Sequence, residues 1–294
     1  PVALVAATVA LLLLVVKEPH RRHRISAAGL ATLPVAAFAP HAVALWMIPV
    51  GWGAGVAVLG SDSGPLLPGS ALILEQVDAA GGVAPWIFAL IGLVWICGAA
   101  CFLVRNLAGY WGIYRVCRRA ARVESFHDLV GRIQVAMGVK RHLRVLEASG
   151  CVGPALAGRR TILLPGIFVA GAGAHAVAAV TTHEAAHARQ GDPELRLLQA
   201  AVECLFFFQP ACWWLSRTFQ IEREIAADAL AAPLCGGAQS YARGLLAAAG
   251  YGSKVENHGL GIRTSPLGHR LERVLGKAGP GRPWKAGVVM IARR

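Results

Sequence analysis

Two polar motifs, THEAAHARQGD (Thr182 to Asp192) and EREIAADAL (Glu222 to Leu230), flank an apolar stretch, Leu195 to Phe219, whose composition would suit a membrane span. Nothing else in the chain restricts its fold as much. If the two motifs act together, the stretch between them must return to the side from which it left. One crossing would separate them, and two would need about forty apolar residues plus a turn. The part before Pro210 is about 14 residues, or about 21 Å of helix, short of the roughly 30 Å hydrocarbon core. Pro210 then breaks the helix. The expectation is a folded-back helical pair at residues 195–219, buried in the domain or dipping into one leaflet, where a hydropathy plot would draw a fourth span.

The motifs have a chemical reason to meet. Ala174 to Gln190 reads as one helix, ended by "GDP". Four residues apart on a helix is one face, so His183 and His187 can direct two imidazoles at one metal ion. Glu184 lies beside them, placed to polarise a water on that metal, which is the H-E-x-x-H arrangement of zinc peptidases. Catalytic zinc needs a third protein ligand and an open position. Glu224 can supply that ligand, and Asp228, one turn later on the same face, can accept the N–H of a ligating histidine. Glu222 competes for the role, but four residues on from it stands Ala226, so no supporting carboxylate accompanies it. Glu222 and Arg223 read instead as a solvated face.

The rest of the chain is read as a membrane protein. Of 294 residues 55% are hydrophobic and 15% charged, against about a quarter charged in an ordinary soluble domain. Val2 to Val16 is an aliphatic run that opens with Pro1 rather than Met, as a fragment or processed form would. Ile25 to Leu59 is punctuated by Pro34, Pro40 and Pro49, with Trp46 and Trp52 near a kinked or interfacial end, and Val83 to Val104 is a clean span. Basic segments, "KEPHRRHR" (Lys17 to Arg24) and "RNLAGYWGIYRVCRRAAR" from Arg105, follow the first and third runs. The segment Gly60 to Gly82 between the others is acidic. The positive-inside rule then makes about three spans over residues 1–104 and starts the chain from Arg105 in the cytoplasm. Trp86 and Trp111 flank the third run as interfacial anchors. The net charge of +13 follows this pattern rather than a basic face with interleaved aromatics, so no nucleic acid partner is expected. The seven cysteines form no C-x-x-C pair and read as reduced, partly buried side chains.

Glu124 to Gly138 has helical periodicity. Leu143 to Leu146, Thr161 to Leu164 and Val152 to Ala157 look like short strands. The fold expected is mainly α, with transmembrane helices in front of a cytoplasmic α+β metallopeptidase domain (residues 105–276) containing a small sheet. Residues 277–294, with "AGVVMIARR", read as a tail or the start of a further span. His20, His23, His127, His142 and His258 have no partner at ligand spacing, and His175 lies off the face of His183.

"ALAGRRTILLP", "HEAAHARQGDPELRLLQA", "FFFQPACWWLSR" and "EREIAADAL" occur in an order and spacing that resembles the BlaR/MecR-type antirepressor membrane zinc metallopeptidases, which are gluzincins. The resemblance covers roughly Ala155 to Ala232 closely and the membrane region loosely. It implies one zinc ion held by His183, His187 and Glu224, with Glu184 as catalytic base and Asp228 as the carboxylate behind a ligand. The family usually has cysteine where Ala227 stands. Its antibiotic-sensing members carry a further span and an external sensor domain with a serine acylation site. No S-x-x-K occurs here, so a β-lactam signal is not carried over.

The function expected is membrane-embedded, cytoplasmic-side hydrolysis of peptide bonds by a zinc endopeptidase in a bacterial inner or plasma membrane. The substrate would be a protein or peptide, a cytoplasmic repressor in a signalling version, lying extended along the strand near Pro154 to Ala157, as the family's fold implies. His269, Arg270 and Arg273 in "SPLGHRLERV" are candidates to stabilise the oxyanion, and equally read as a basic amphipathic helix at the membrane surface. The competing functions are housekeeping quality control of membrane proteins and a receptor-like regulator with a non-catalytic metal site.

Overall fold

The computed structural model describes residues 2–47, 85–149, 153–252 and 266–276, and opens with two helices, α1 (Val2–Val15) and α2 (Pro19–Met47). A long helix α3 (Pro85–Arg119) is followed by strand β1 (Ala121–Arg122), helix α4 (His127–Met137) and strands β2 (Arg144–Ala148), β3 (Ala155–Ala157) and β4 (Thr161–Pro165). Helices α5 (Gly166–Gly171), α6 (Ala174–Gln190), α7 (Asp192–Leu205), α8 (Pro210–Leu234), α9 (Ala238–Gly252) and α10 (Pro266–Val274) complete it. The acidic segment Gly60 to Gly82, the Trp52 end of the second apolar run, Val152 and the tail from residue 277 lie outside the described residues.

The sheet runs in the order β1-β2-β4-β3, with β2 and β4 parallel and the two outer strands antiparallel to their neighbours. β4 is buried along its whole length. Its alternation sends Ile162 and Leu164 into the main core with Val177 and Val180 of α6, while Leu163 faces the other way, with Leu146 and Val116 of α3. β3 is left at an edge of the sheet, beside α6.

Helix α6 is enclosed on nearly every side: Ala176, Val177, Ala179, Val180 and each residue from Thr181 to His187 are buried. Small side chains make that possible. A Cβ on Gly244 of α9 would stand 2.5 Å from Ala179 Cβ and 2.9 Å from the His175 carbonyl oxygen, so α9 approaches α6 to a distance that only glycine allows. At the C-terminal end, Gly191 adopts φ 74°, the left-handed conformation glycine takes without penalty, and its N–H caps the His187 carbonyl. α7 then begins at once with Asp192, and Pro193 sits in its first turn, where no N–H is needed.

The apolar stretch between the motifs is a helical hairpin. α7 ends at Leu205, residues 206–209 turn, and α8 starts at Pro210. Indole N–H groups cover carbonyls at the turn: Trp95 of α3 donates to Leu205 O (3.0 Å) and Trp213 to Phe207 O (2.6 Å). Gln199 and Ser216 face each other across the hairpin at 2.6 Å and both bond Glu203, which gives a carboxylate in an apolar segment its partners. Val202, Phe206, Cys212, Leu215 and Phe219 pack with Val9 and Leu13 of α1 and with Leu30 and Leu33 of α2.

Several expectations change. From Pro19 on, "KEPHRRHR" forms the first turns of α2; Lys17, Arg21 and Arg24 stay exposed, and Arg22 and His23 turn into the protein. Arg22 donates to Leu13 O (2.5 Å) and Val16 O (3.1 Å) at the end of α1, and grips Glu222 with Nε and Nη2 at 2.8 and 2.6 Å. Glu222 is therefore not a solvated residue: it is 1% exposed, because a fork-shaped cation matches its two oxygens. His23 is 2% exposed. The helix that carries the third apolar run extends past Val104. With no proline in the following segment, α3 continues to Arg119. Among the described residues one helix, Ala89–Arg119, is long and apolar enough to cross a membrane, and α1 is a shorter apolar helix. Trp86 and Trp111 are both exposed on α3.

Gly244→Ala is expected to destabilise the fold by about 1–3 kcal/mol through overpacking against the α6 backbone, read as a lowered Tm; an unchanged Tm would show that α9 can shift without cost.

Candidate metal centre

α6 and α8 lie against each other in the core, and their contact brings the two motifs together. His183 and His187, one turn apart on α6, face Glu224 of α8. Their Nε2 atoms are 3.1 Å apart, and Glu224 lies 3.5 Å from His183 Nε2 and 3.7 Å from His187 Nε2. One ligand atom from each of the three residues falls within 4.8 Å of the others. The rings meet edge to face, with planes 82° apart.

The opposite side of each ring is held by a carboxylate. His183 Nδ1 is 3.2 Å from Asp228 Oδ1 and 2.9 Å from the Tyr241 hydroxyl, which itself donates to Asp228 at 2.8 Å. His187 Nδ1 is 2.5 Å from Asp192 Oδ2. A carboxylate beside Nδ1 favours a proton there, so Nε2 is the atom each neutral ring can turn to a metal ion. Two such nitrogens and a carboxylate directed at one small volume call for a cation between them. The donor set fits a divalent metal ion of the kind that imidazole and carboxylate bind.

The charges around the site say the same. Burial by itself would lower the His183 pKa, but hydrogen bonds to Asp228 and Glu224 outweigh it and carry the pKa up to about 9. Burial would raise the carboxyls of Glu224 and Asp228, yet His183, and then His187 and Arg270 for Glu224 or Arg270 for Asp228, hold both far below the usual carboxylate range. Asp192 is likewise held low by His187 and His23 against its burial. The Tyr241 hydroxyl is pushed well above its ordinary value, by burial and then by the Asp228 charge, so it stays a donor.

Of the residues singled out from the sequence, His183, Glu184, His187, Glu224, Asp228 and Arg270 gather here. Glu184 is buried to 8% exposure and lines the same cleft as the three ligand candidates. Arg270 reaches in from α10: Nε and Nη2 bind the two Asp228 oxygens at 3.0 and 2.6 Å, and Nη1 lies 3.2 Å from Glu224. His269 is exposed on the same helix, and neither it nor Arg273 lines the cleft. Tyr241, Asp192 and His23 were not singled out. Asp192 could have been, since it follows His187 by five residues at the close of the helix. Tyr241 and His23 carry no local signal, because only the packing of α9 and α2 delivers them.

The cleft has a volume of about 410 Å³, within the range of small-ligand and peptide sites. Ala155 and Leu156 of edge strand β3, with Pro154, line it, as do Arg196 and Arg223. The family described as BlaR1 peptidase M56 matches residues 73–274, more than half of the chain. The chain belongs to that family. The match spans both motifs and the hairpin between them. A comparison with curated protein sequences finds no match.

Tyr241→Phe removes the hydroxyl shared by His183 and Asp228. Metal affinity is expected to fall about 10-fold, measured by competition with a chelator; an affinity equal to wild type would show that Asp228 alone orients His183.

Proposed function

We propose that the protein is a membrane-bound zinc endopeptidase that hydrolyses peptide bonds on the cytoplasmic side. The observation that carries this reading is the convergence of His183, His187 and Glu224, from two helices, on one point in a cleft whose wall also holds Glu184. When bound, zinc lowers the pKa of a coordinated water toward neutrality and polarises the scissile carbonyl.

The chain's own residues supply the remainder. Glu184 takes the proton from the attacking water and hands it to the leaving amine, the role of a buried carboxylate beside a metal site. β3 offers unpaired backbone groups at the sheet edge, against which a substrate can lie extended, strand to strand. Arg196 and Arg223 also line the cleft and bring positive charge to it, which favours the negative charge that develops on the carbonyl oxygen. Arg270 neutralises Asp228 and Glu224 and thereby holds α10 over the site.

The exposed apolar helix α3 supports membrane attachment, and the arginines toward its C-terminal end support a cytoplasmic peptidase domain. Membership of the BlaR1 peptidase family favours a signalling substrate, such as a cytoplasmic repressor, over general quality control.

Purified protein is expected to hold one zinc per chain by elemental analysis. Glu184→Gln should abolish peptide cleavage with the metal retained, and loss of zinc from that variant would remove Glu184 from the role of base. Glu224→Ala should strip the metal; retention there, with loss in Glu222→Ala, would move the third ligand to Glu222. For sidedness, a cysteine at Gln209, in a chain whose native cysteines are replaced, should escape a membrane-impermeant thiol reagent applied outside intact cells. Labelling would place the hairpin on the outer face.

A further inference from the structure

Two consecutive residues of α2 reach both of the segments that carry the metal-ligand candidates. Arg22 holds Glu222, two residues before Glu224 on α8. His23 lies with Nε2 3.2 Å from Asp192 Oδ1, and the other oxygen of Asp192 is 2.5 Å from His187 Nδ1. The chain of contacts His23–Asp192–His187 links a helix near the N-terminus to a ligand candidate more than 160 residues away. Both members behind His187 are closed to solvent, with side chains about 3% exposed. The imidazole of His23 is also stacked on Phe219 of α8, with centroids 5.4 Å apart and planes 27° from parallel, so its place is set by packing.

A carboxylate that orients a metal ligand is itself oriented only if its second oxygen is held. Among the described residues, Asp192 Oδ1 and both ring nitrogens of His23 are buried without a hydrogen-bond partner, so the 3.2 Å approach of Nε2 to Oδ1 is an electrostatic contact at ion-pair distance. Removing the imidazole would leave that oxygen buried and free to turn, and the hydrogen bond to His187 would loosen with it.

We propose that His23 is a positioning residue for the metal ligand His187, acting through Asp192. Together with Arg22, it makes α2 part of the metal centre rather than a neighbouring membrane helix. A shift of α2 is then felt at both ligand-bearing segments at once. This rests on the reading of His183, His187 and Glu224 as metal ligands.

The test uses the full chain in detergent micelles or nanodiscs, with zinc affinity measured by chelator competition and Tm of the metal-free protein measured in parallel. His23→Leu keeps the bulk against Phe219 but cannot bond Asp192, and is expected to weaken zinc binding about 10-fold. His23→Gln presents an amide N–H to the same oxygen and should recover most of the affinity. In an Asp192→Ala background, His23→Leu should have no further effect, since the two act in series. With cobalt in place of zinc, the visible absorption of His23→Leu should differ from wild type, which a purely structural role would not produce. Equal affinity in wild type and His23→Leu would overturn the proposal, and so would equal losses in the Leu and Gln variants. A wild-type chain that binds no metal at all would instead overturn the peptidase reading on which this one rests.

Discussion

Imidazoles and carboxylates cannot be buried together in this density without positive charge to hold them. Asp228 and Asp192 sit among side chains that exclude water, with Glu224 half-buried beside them, and a buried carboxylate would be costly there alone. The fold answers by bringing cations and donors from separate elements: Arg270 from α10, Tyr241 from α9, Arg223 beside Glu224, and His23 from α2. Much of the architecture follows from that requirement. α6 is enclosed because its polar face must be reached from several directions, and the small residues along it let neighbouring helices come close enough to do so.

α8 joins the two parts of the molecule. Its first turns pack on α1 and α2 as the return arm of an apolar hairpin, and its later turns carry Glu224 and Asp228 to α6. Because it is one continuous helix of 25 residues, the two ends cannot be placed independently. A rigid rod that is apolar at one end and ligand-bearing at the other ties the position of the N-terminal helices to the geometry of the site. The contacts of Arg22 and His23 are where that tie becomes specific.

The cleft is assembled from pieces with different jobs. The sheet edge provides backbone, α6 provides Glu184 and the two histidines, α8 provides Glu224, and Arg270 of α10 pairs with the carboxylates. Arg270 was one of three residues in its segment open to a role near the reaction. Packing decides among them: Arg270 lines the cleft and binds Asp228, His269 is exposed, and Arg273, a turn further on, does not line the cleft.

The residues that gather as metal-ligand candidates were legible in the sequence because helix geometry is local. Four residues apart is one face of α6, and the same rule pairs Glu224 with Asp228 on α8. The return of the chain between them was legible too, since the length before Pro210 is a matter of counting. Tertiary structure alone decided what stands behind the ligands. The sequence offered Glu222 as a solvated residue and His23 as a histidine with no partner at ligand spacing, and both readings treated a polar side chain as a property of the segment bearing it. Burial depends on what arrives from elsewhere: Glu222 is enclosed because Arg22 meets it, and His23 matters because Asp192 lies beside it. Spacing along the chain carries no record of such meetings, which are fixed only when distant helices pack.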